Sequence, residues 1–242
     1  MLDEPMMLSV KLPDVPIVVG ADRVAAARHY LNRPNVAQPQ VWILDDGFQH
    51  RRLKRDVDAL VFGALSRSGN TRLFPAGFLR EPMGNCRRAD LVFLRQNDEV
   101  PLDTQFVKEL HALGIKNILP VKHQSFAPVT VAGSQHFSEV SSFACIAAIA
   151  NPLDFKRSCE VFGIKIKNSL FKSDHDRFEI SEIEKTCAGC DGLITTEKDY
   201  YRDQYLFNGL NWPVFVLPLN VDVNHGEIKQ HFGIILDSVK NC

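Results

Sequence analysis

The sequence predicts an α/β fold, a doubly wound and mostly parallel sheet in α/β/α layers. Three observations carry that expectation. Short runs of β-branched and bulky residues alternate with segments of helical pattern along the chain, the order in which parallel sheets are built. One run, Val41-Trp42-Ile43-Leu44, stops at Asp45-Asp46-Gly47, and α/β sheets place their chemistry at the carboxyl ends of such strands. Glycine and proline punctuate the intervals, densely so between Gly63 and Pro82, where turns and binding loops belong.

Taken in order, Pro16–Gly20 reads as a strand, and Ala21-Asp22-Arg23 leads into an alanine-rich helix over Val24–Leu31 that stops before Pro34. Val41–Leu44 is expected as a buried strand and Val57–Phe62 as the next. After the loop from Gly63 to Pro82, Arg88–Leu94 is a helix end feeding a strand. Val107–Leu113 is an amphipathic helix closing at Gly114, and Ile118–Val121 is a strand. Beyond Pro128 come a buried strand, Phe143–Ala150, and a helix over Leu153–Phe162. Gly192–Asp199 is a strand running into a polar tip, or a helix start in which Thr196 caps and Asp199 holds the capping-box position. Val214–Leu217 is a strand, and a helix over about Gly226–Val239 finishes the chain. The expected division is 1–127, carrying Asp45 and Asp46, and 128–242, a second α/β part carrying Asp174-His175 and Thr196-Glu197-Lys198-Asp199.

With 242 residues, 45% apolar and 24% charged, the chain has an ordinary globular composition and can bury a sizeable core. A net charge of −1 provides no overall basic field, so no nucleic-acid partner is expected. Arg51–Arg55 and Arg87-Arg88 are local basic clusters, and the first is a weak candidate for anionic lipid. No run approaches the roughly 18 apolar residues that span a bilayer, so no transmembrane helix is expected. Six scattered cysteines without a signal-peptide pattern point to reduced thiols in the cytoplasm. Cys187-Ala188-Gly189-Cys190 lacks the second pair of a zinc site and reads as incidental.

Four apolar residues followed by a carboxylate form the Walker B pattern, in which an Asp holds Mg2+ beside a nucleotide's phosphates. A strand ending in an Asp-Gly turn is the plain alternative. The wording extends much further. Asp45-Asp46-Gly47-Phe48-Gln49-His50, Arg55-Asp56, Asn70 and Leu73-Phe74-Pro75-Ala76-Gly77-Phe78-Leu79-Arg80-Glu81-Pro82 together resemble the tetraacyldisaccharide 4'-kinase family, the lipid A 4'-kinases. The resemblance continues through Asp3-Glu4-Pro5, Asp174-His175 and Thr196-Glu197-Lys198-Asp199. Thr71 departs from the family's Gly-Asn-Gly, Ala148 stands where the family has Gly, and Asp176 replaces a second His.

The resemblance implies a P-loop-NTPase-like fold and transfer of the ATP γ-phosphoryl group to the 4'-hydroxyl of a tetraacyldisaccharide 1-phosphate. It implies ATP and Mg2+ as cofactors and a lipid A disaccharide precursor as substrate. The expected location is the cytoplasmic face of the inner membrane of a Gram-negative-type bacterium, with peripheral membrane contact. Asp3 is then the base for the sugar hydroxyl and His175 tunes it, while Glu4, Asp45 and Asp46 shape the Mg2+ site. Arg23, Gln49, His50, Asn70, Arg80, Glu81 and Lys198 face substrate or phosphate. For Arg23, a surface pair with Asp22 or a place at the helix start is the structural alternative.

In the family a glycine-rich loop lies ahead of Asp-Glu-Pro. No G-x-x-x-x-G-K-[ST] occurs in these 242 residues, so the cradle for β- and γ-phosphates is absent from the sequence. The expectation is a core with its N-terminal strand and Walker A loop missing, as a truncated chain or one served by a separate chain carrying the loop. The alternative is an inactive remnant that binds the lipid disaccharide or a partner. An NAD-type enzyme ranks last, because no G-x-G-x-x-G follows a strand.

Overall fold

The computed structural model describes residues 3–63, 72–77, 79–96, 103–222, 226, 228–230 and 232–233. In chain order the helices are α1 (Asp3–Lys11), α2 (Arg23–Leu31), α3 (Thr104–Ala112), α4 (Pro152–Val161), α5 (Ile180–Cys187), α6 (Glu197–Arg202) and α7 (Gln204–Asn208). The strands are β1 (Ala59–Phe62), β2 (Leu91–Gln96), β3 (Ile118–Ser125), β4 (Val129–Ala132), β5 (Phe143–Ala147), β6 (Ile166–Phe171), β7 (Gly192–Thr196), β8 (Val214–Leu217) and β9 (Leu219–Asp222). The chain divides into two compact units, residues 1–36 with 125–220, and residues 37–124 with 221–242.

The first unit is built on a five-stranded sheet in the order β4-β8-β7-β5-β6, parallel except where β4 meets β8. Every residue of β5 is buried, which explains its unbroken apolar run: a central parallel strand is covered on both faces. The two-residue period survives in the packing. Ala144 and Ile146 join Leu193 and Val214 against Ile183, Tyr200 and Phe207, so α5, α6 and α7 supply one layer. Phe143 and Cys145 join Ile194 and Phe215 against Cys159 of α4, the other layer. Helices on both faces make this unit doubly wound, as expected.

The second unit has the sheet order β1-β2-β3-β9, with β1, β2 and β3 mutually parallel. Asp103 starts α3 by accepting from the amides of Gln105 and Phe106, each at 3.0 Å, and four residues apart Phe106 and Leu110 turn inward. There they meet Phe62, Cys86, Val92 and Leu94, Phe62 and Phe106 touching edge to face at 5.2 Å.

Three expectations are corrected. Pro16–Gly20 and Val41–Leu44 form no strand, and Val41, Trp42 and Ile43 are exposed, Ile43 to 90%. A strand persists only where a neighbour takes its backbone hydrogen bonds. Among the described residues β1 ends the sheet, and 41–44 belongs to neither sheet. Third, residues 1–36 group with 125–220 instead of with the rest of 1–127, because α1, which the sequence reading left without structure, packs against α6. Further boundaries fall at 124/125 and at 220/221, where residues 221–242 join 37–124 instead of the rest of 128–242. No helix among the described residues is long and apolar enough to cross a membrane.

Candidate active site

The first unit gathers its polar groups where β7 turns into α6. The Thr196 hydroxyl accepts from the Asp199 amide at 3.1 Å, capping α6, so the polar tip and the capped helix start are the same feature. Within that first turn successive side chains diverge. Lys198 turns outward: its Nζ lies 2.9 Å from Asp174 Oδ1, 3.5 Å from Glu4 Oε1 and 3.5 Å from His175 Nε2. An ammonium can only donate, so Nε2 is the acceptor at that contact. Asp174 Oδ2 lies 3.6 Å from the same nitrogen. Asp3 opens α1 immediately before Glu4; only its backbone is described.

Asp199 turns inward and is fully buried. Its Oδ2 accepts from the Ala148 amide at 3.0 Å and the Thr196 hydroxyl at 2.7 Å. Its Oδ1 lies 3.0 Å from Arg202 Nη2, a charge contact without hydrogen-bond geometry. Burial pushes the Asp199 carboxyl above the ordinary range, against the opposing pull of those hydrogen bonds and Arg202. His175 has a φ of 68°, a left-handed conformation uncommon outside glycine. Its amide donates to the Ala148 carbonyl at 3.3 Å.

The second unit carries the acidic turn. Asp46 has a φ of 51°, and both its carboxylate oxygens accept from Arg80 Nη1, at 2.6 and 2.5 Å. The two side chains are 67% and 65% exposed. Gly47 is buried, and a Cβ there would sit 2.7 Å from Leu44 Cβ, so the turn admits no side chain. Arg88 then binds the turn to the Arg80-Glu81 segment. Its guanidinium lies 4.3 Å from the Phe48 ring centroid, donates to the Phe48 carbonyl at 3.4 Å, and reaches both Glu81 oxygens at 3.0 and 3.3 Å. Asn85 donates to the same carboxylate at 2.8 Å. The Arg88 hydrogen bond, foremost, holds the Glu81 carboxyl below the usual range, with burial opposing.

Of the other expected site residues, Asp45 and Gln49 are exposed, and His50 has a buried Nδ1 with no hydrogen-bond partner. Arg55, within the expected lipid-facing run, is tied to Asp58 and to the carbonyls of His50 and Leu53, leaving Arg51, Arg52 and Lys54 exposed. Arg23 is the first residue of α2, whose start Asp22 caps by accepting from the Ala25 amide at 3.0 Å. Asn70 lies outside the described residues.

Each unit thus assembles part of the expected set: Glu4, His175 and Lys198 in one, Asp46, Arg80 and Glu81 in the other. Among the described residues no three His, Cys, Asp or Glu side chains are placed to hold a metal. Mg2+ asks for only one or two carboxylates, with water and phosphate completing its shell, and Asp45-Asp46 fits that demand. Sequence reading missed Arg88 and the inward role of Asp199. No spacing in the sequence pointed to the first, and the capping-box position was the signal for the second.

Residues 2–237 match the family model described as LpxK, tetraacyldisaccharide-1-P 4'-kinase. The chain is 33% identical over 210 residues to the tetraacyldisaccharide 4'-kinase of Chlorobium limicola, which covers 83% of this chain and 59% of that protein. It is 34% identical over 205 residues to the enzyme of that name from Geobacter sulfurreducens, covering 81% and 55%. It is also similar to the crystal structure of LpxK from Aquifex aeolicus in complex with ATP, with a TM-score of 0.67 and 26% identity over 96% of this chain and 68% of that one. That likeness makes the α/β fold P-loop-NTPase-like. The chain spans about 55% to 59% of the length of these curated relatives.

Proposed function

The chain belongs to the tetraacyldisaccharide 4'-kinase family, and from that premise we propose that its two clusters serve ATP-dependent phosphorylation of the 4'-hydroxyl of a tetraacyldisaccharide 1-phosphate in lipid A biosynthesis. The observation that carries the reading is the meeting of Lys198, Asp174, His175 and Glu4 within 4 Å, at the end of parallel strand β7 and beside the start of α1. Phosphoryl transfer asks a protein for position and charge neutralisation more than for covalent chemistry.

In this reading Asp3 takes the proton of the sugar hydroxyl and His175 orients or shares it. Lys198 meets a phosphate oxygen as a point charge, and Asp174 keeps its ammonium in place. In the second unit Asp45 and Asp46 are the groups that would hold Mg2+, which when bound neutralises phosphate charge, and the family resemblance gives Glu4 of the first unit the same role. Arg80 offers a guanidinium to phosphate once Asp46 is engaged elsewhere. The family resemblance gives Arg23, Gln49, His50 and Asn70 roles in contacting substrate or phosphate, and Glu81 acts through Arg88 by holding the Phe48 turn. The β- and γ-phosphates would be cradled by a glycine-rich loop outside these 242 residues, in this or another polypeptide. Peripheral contact with the cytoplasmic face of the inner membrane belongs to the same proposal, with Arg51, Arg52 and Lys54 as its exposed cations.

The departures from the family wording at Thr71, Ala148 and Asp176 favour one other reading, a protein that binds the disaccharide without turning it over. The test is phosphotransfer from γ-labelled ATP to the disaccharide, with this chain alone and with a polypeptide carrying the Walker A loop. Label is expected on the disaccharide, with Asp3→Ala and His175→Ala each at least 100-fold slower. Calorimetric binding of the disaccharide with no transfer under either condition favours the binding reading, and neither binding nor transfer sinks both.

A further inference from the structure

The chain leaves the β5 ladder at Ala147, yet Ala148 stays fully buried, and its amide and carbonyl need partners there. Both partners lie in the site. The amide donates to Asp199 Oδ2 at 3.0 Å, and the carbonyl accepts from the His175 amide at 3.3 Å. The residue before Asp199 is Lys198, whose Nζ meets the His175 ring at 3.5 Å. The contacts therefore close a circuit: one helical turn carries Lys198 and Asp199, Asp199 grips Ala148, Ala148 grips the His175 backbone, and the His175 ring returns to Lys198.

The circuit accounts for the backbone of His175. A left-handed conformation is unfavourable for a residue with a Cβ, and it persists only where the surroundings over-determine it. The φ of 68° at His175 is held from its own amide on one side and from its imidazole on the other.

We propose that Asp199 is a positioning residue for His175, its buried carboxylate fixing through Ala148 the place at which the imidazole is presented. The proposal rests on the kinase reading only for the use made of His175; the clamp itself is independent of turnover. Asp199 touches no substrate in it, and Arg202 serves to neutralise the carboxylate.

The test uses the isotopically labelled chain. In the wild type, scalar couplings across hydrogen bonds are expected between the Ala148 amide nitrogen and the Asp199 carboxyl carbon, and between the His175 amide nitrogen and the Ala148 carbonyl carbon. Their absence overturns the proposal without any variant having to fold. Asp199→Ala should speed amide exchange at Ala148 and His175 at least tenfold more than at Cys145 and Ile146 of β5, and should shift the ring nitrogens of His175. Asp199→Asn retains an acceptor oxygen and should restore both signatures. Arg202→Gln should lower stability throughout the unit while leaving the His175 ring signals in place. If Asp199→Ala instead acts on all four amides alike, or leaves the ring signals unmoved, Asp199 is merely structural. Where phosphotransfer is measurable, Asp199→Ala should lower kcat at least tenfold with KM for the disaccharide within twofold, and Asp199→Asn should recover most of it. Failure of all transfer would count against the kinase reading while leaving the coupling and exchange results to decide this one.

Discussion

Arg88 ties Phe48 and Glu81, 33 positions apart in the chain, into one surface, and its ion pair with Glu81 is far less exposed than the Asp46–Arg80 pair that bridges the same two segments. Glu81 records this in its lowered pKa. A carboxyl whose folded pKa is depressed adds stability that is present above its ordinary value near 4.5 and lost as pH falls through the folded value. Glu81→Gln should therefore cost about 1–2 kcal/mol at pH 7 and flatten the acid limb of the stability curve, as urea melts from pH 3 to 7 would read. Asp199 works with the opposite sign, since burial raises its pKa: its contribution is present in acid and lost as pH rises through the folded value. Arg80 separates stability from function. Its pair with Asp46 is two-thirds exposed, and such pairs contribute about 0–1 kcal/mol. Arg80→Ala should thus shift Tm by only a few degrees while slowing phosphotransfer at least tenfold. Arg80 and Asp46 were legible through the family wording, whereas Arg88 read as part of a solvated basic run, because nothing in the sequence marks a carboxylate seven residues away as its partner.

Among the elements, β5, β7 and β8 were legible because burial on both faces demands unbroken apolar runs, and Phe143–Ala147 and Val214–Leu217 satisfy it to the last residue. Val41–Leu44 has equally suitable letters and forms no strand, since composition states a capacity and only a neighbouring backbone realises it. The helix α1 was illegible for a different reason. Its Asp3-Glu4-Pro5 start and paired methionines show weak periodicity, and its order comes from α6 far along the chain. The short helix α6 in turn depends on its cap. Thr196→Val removes the acceptor of the Asp199 amide and the donor to the Asp199 carboxylate. It should cost about 1–2 kcal/mol, read as a lowered urea midpoint with an unchanged slope.

At the scale of the molecule, the chain passes between its two units three times, at 36/37, 124/125 and 220/221. The expected division into 1–127 and 128–242 has a single crossing, because a boundary made by a returning helix leaves no change in composition. The Lys11 to Glu197 ion pair, at 2.7 Å across 186 positions, measures how far that return reaches. It also sets a schedule for biosynthesis. At about 5–20 residues per second on the ribosome, roughly ten to forty seconds separate the emergence of α1 from that of its docking partner. Through that interval Met7 and Leu8, half-buried in the folded unit, must wait without a surface to cover them. Arrested nascent chains should accordingly keep this stretch open to protease until α6 clears the exit tunnel, and a chaperone that shields newborn chains should find its earliest hold there.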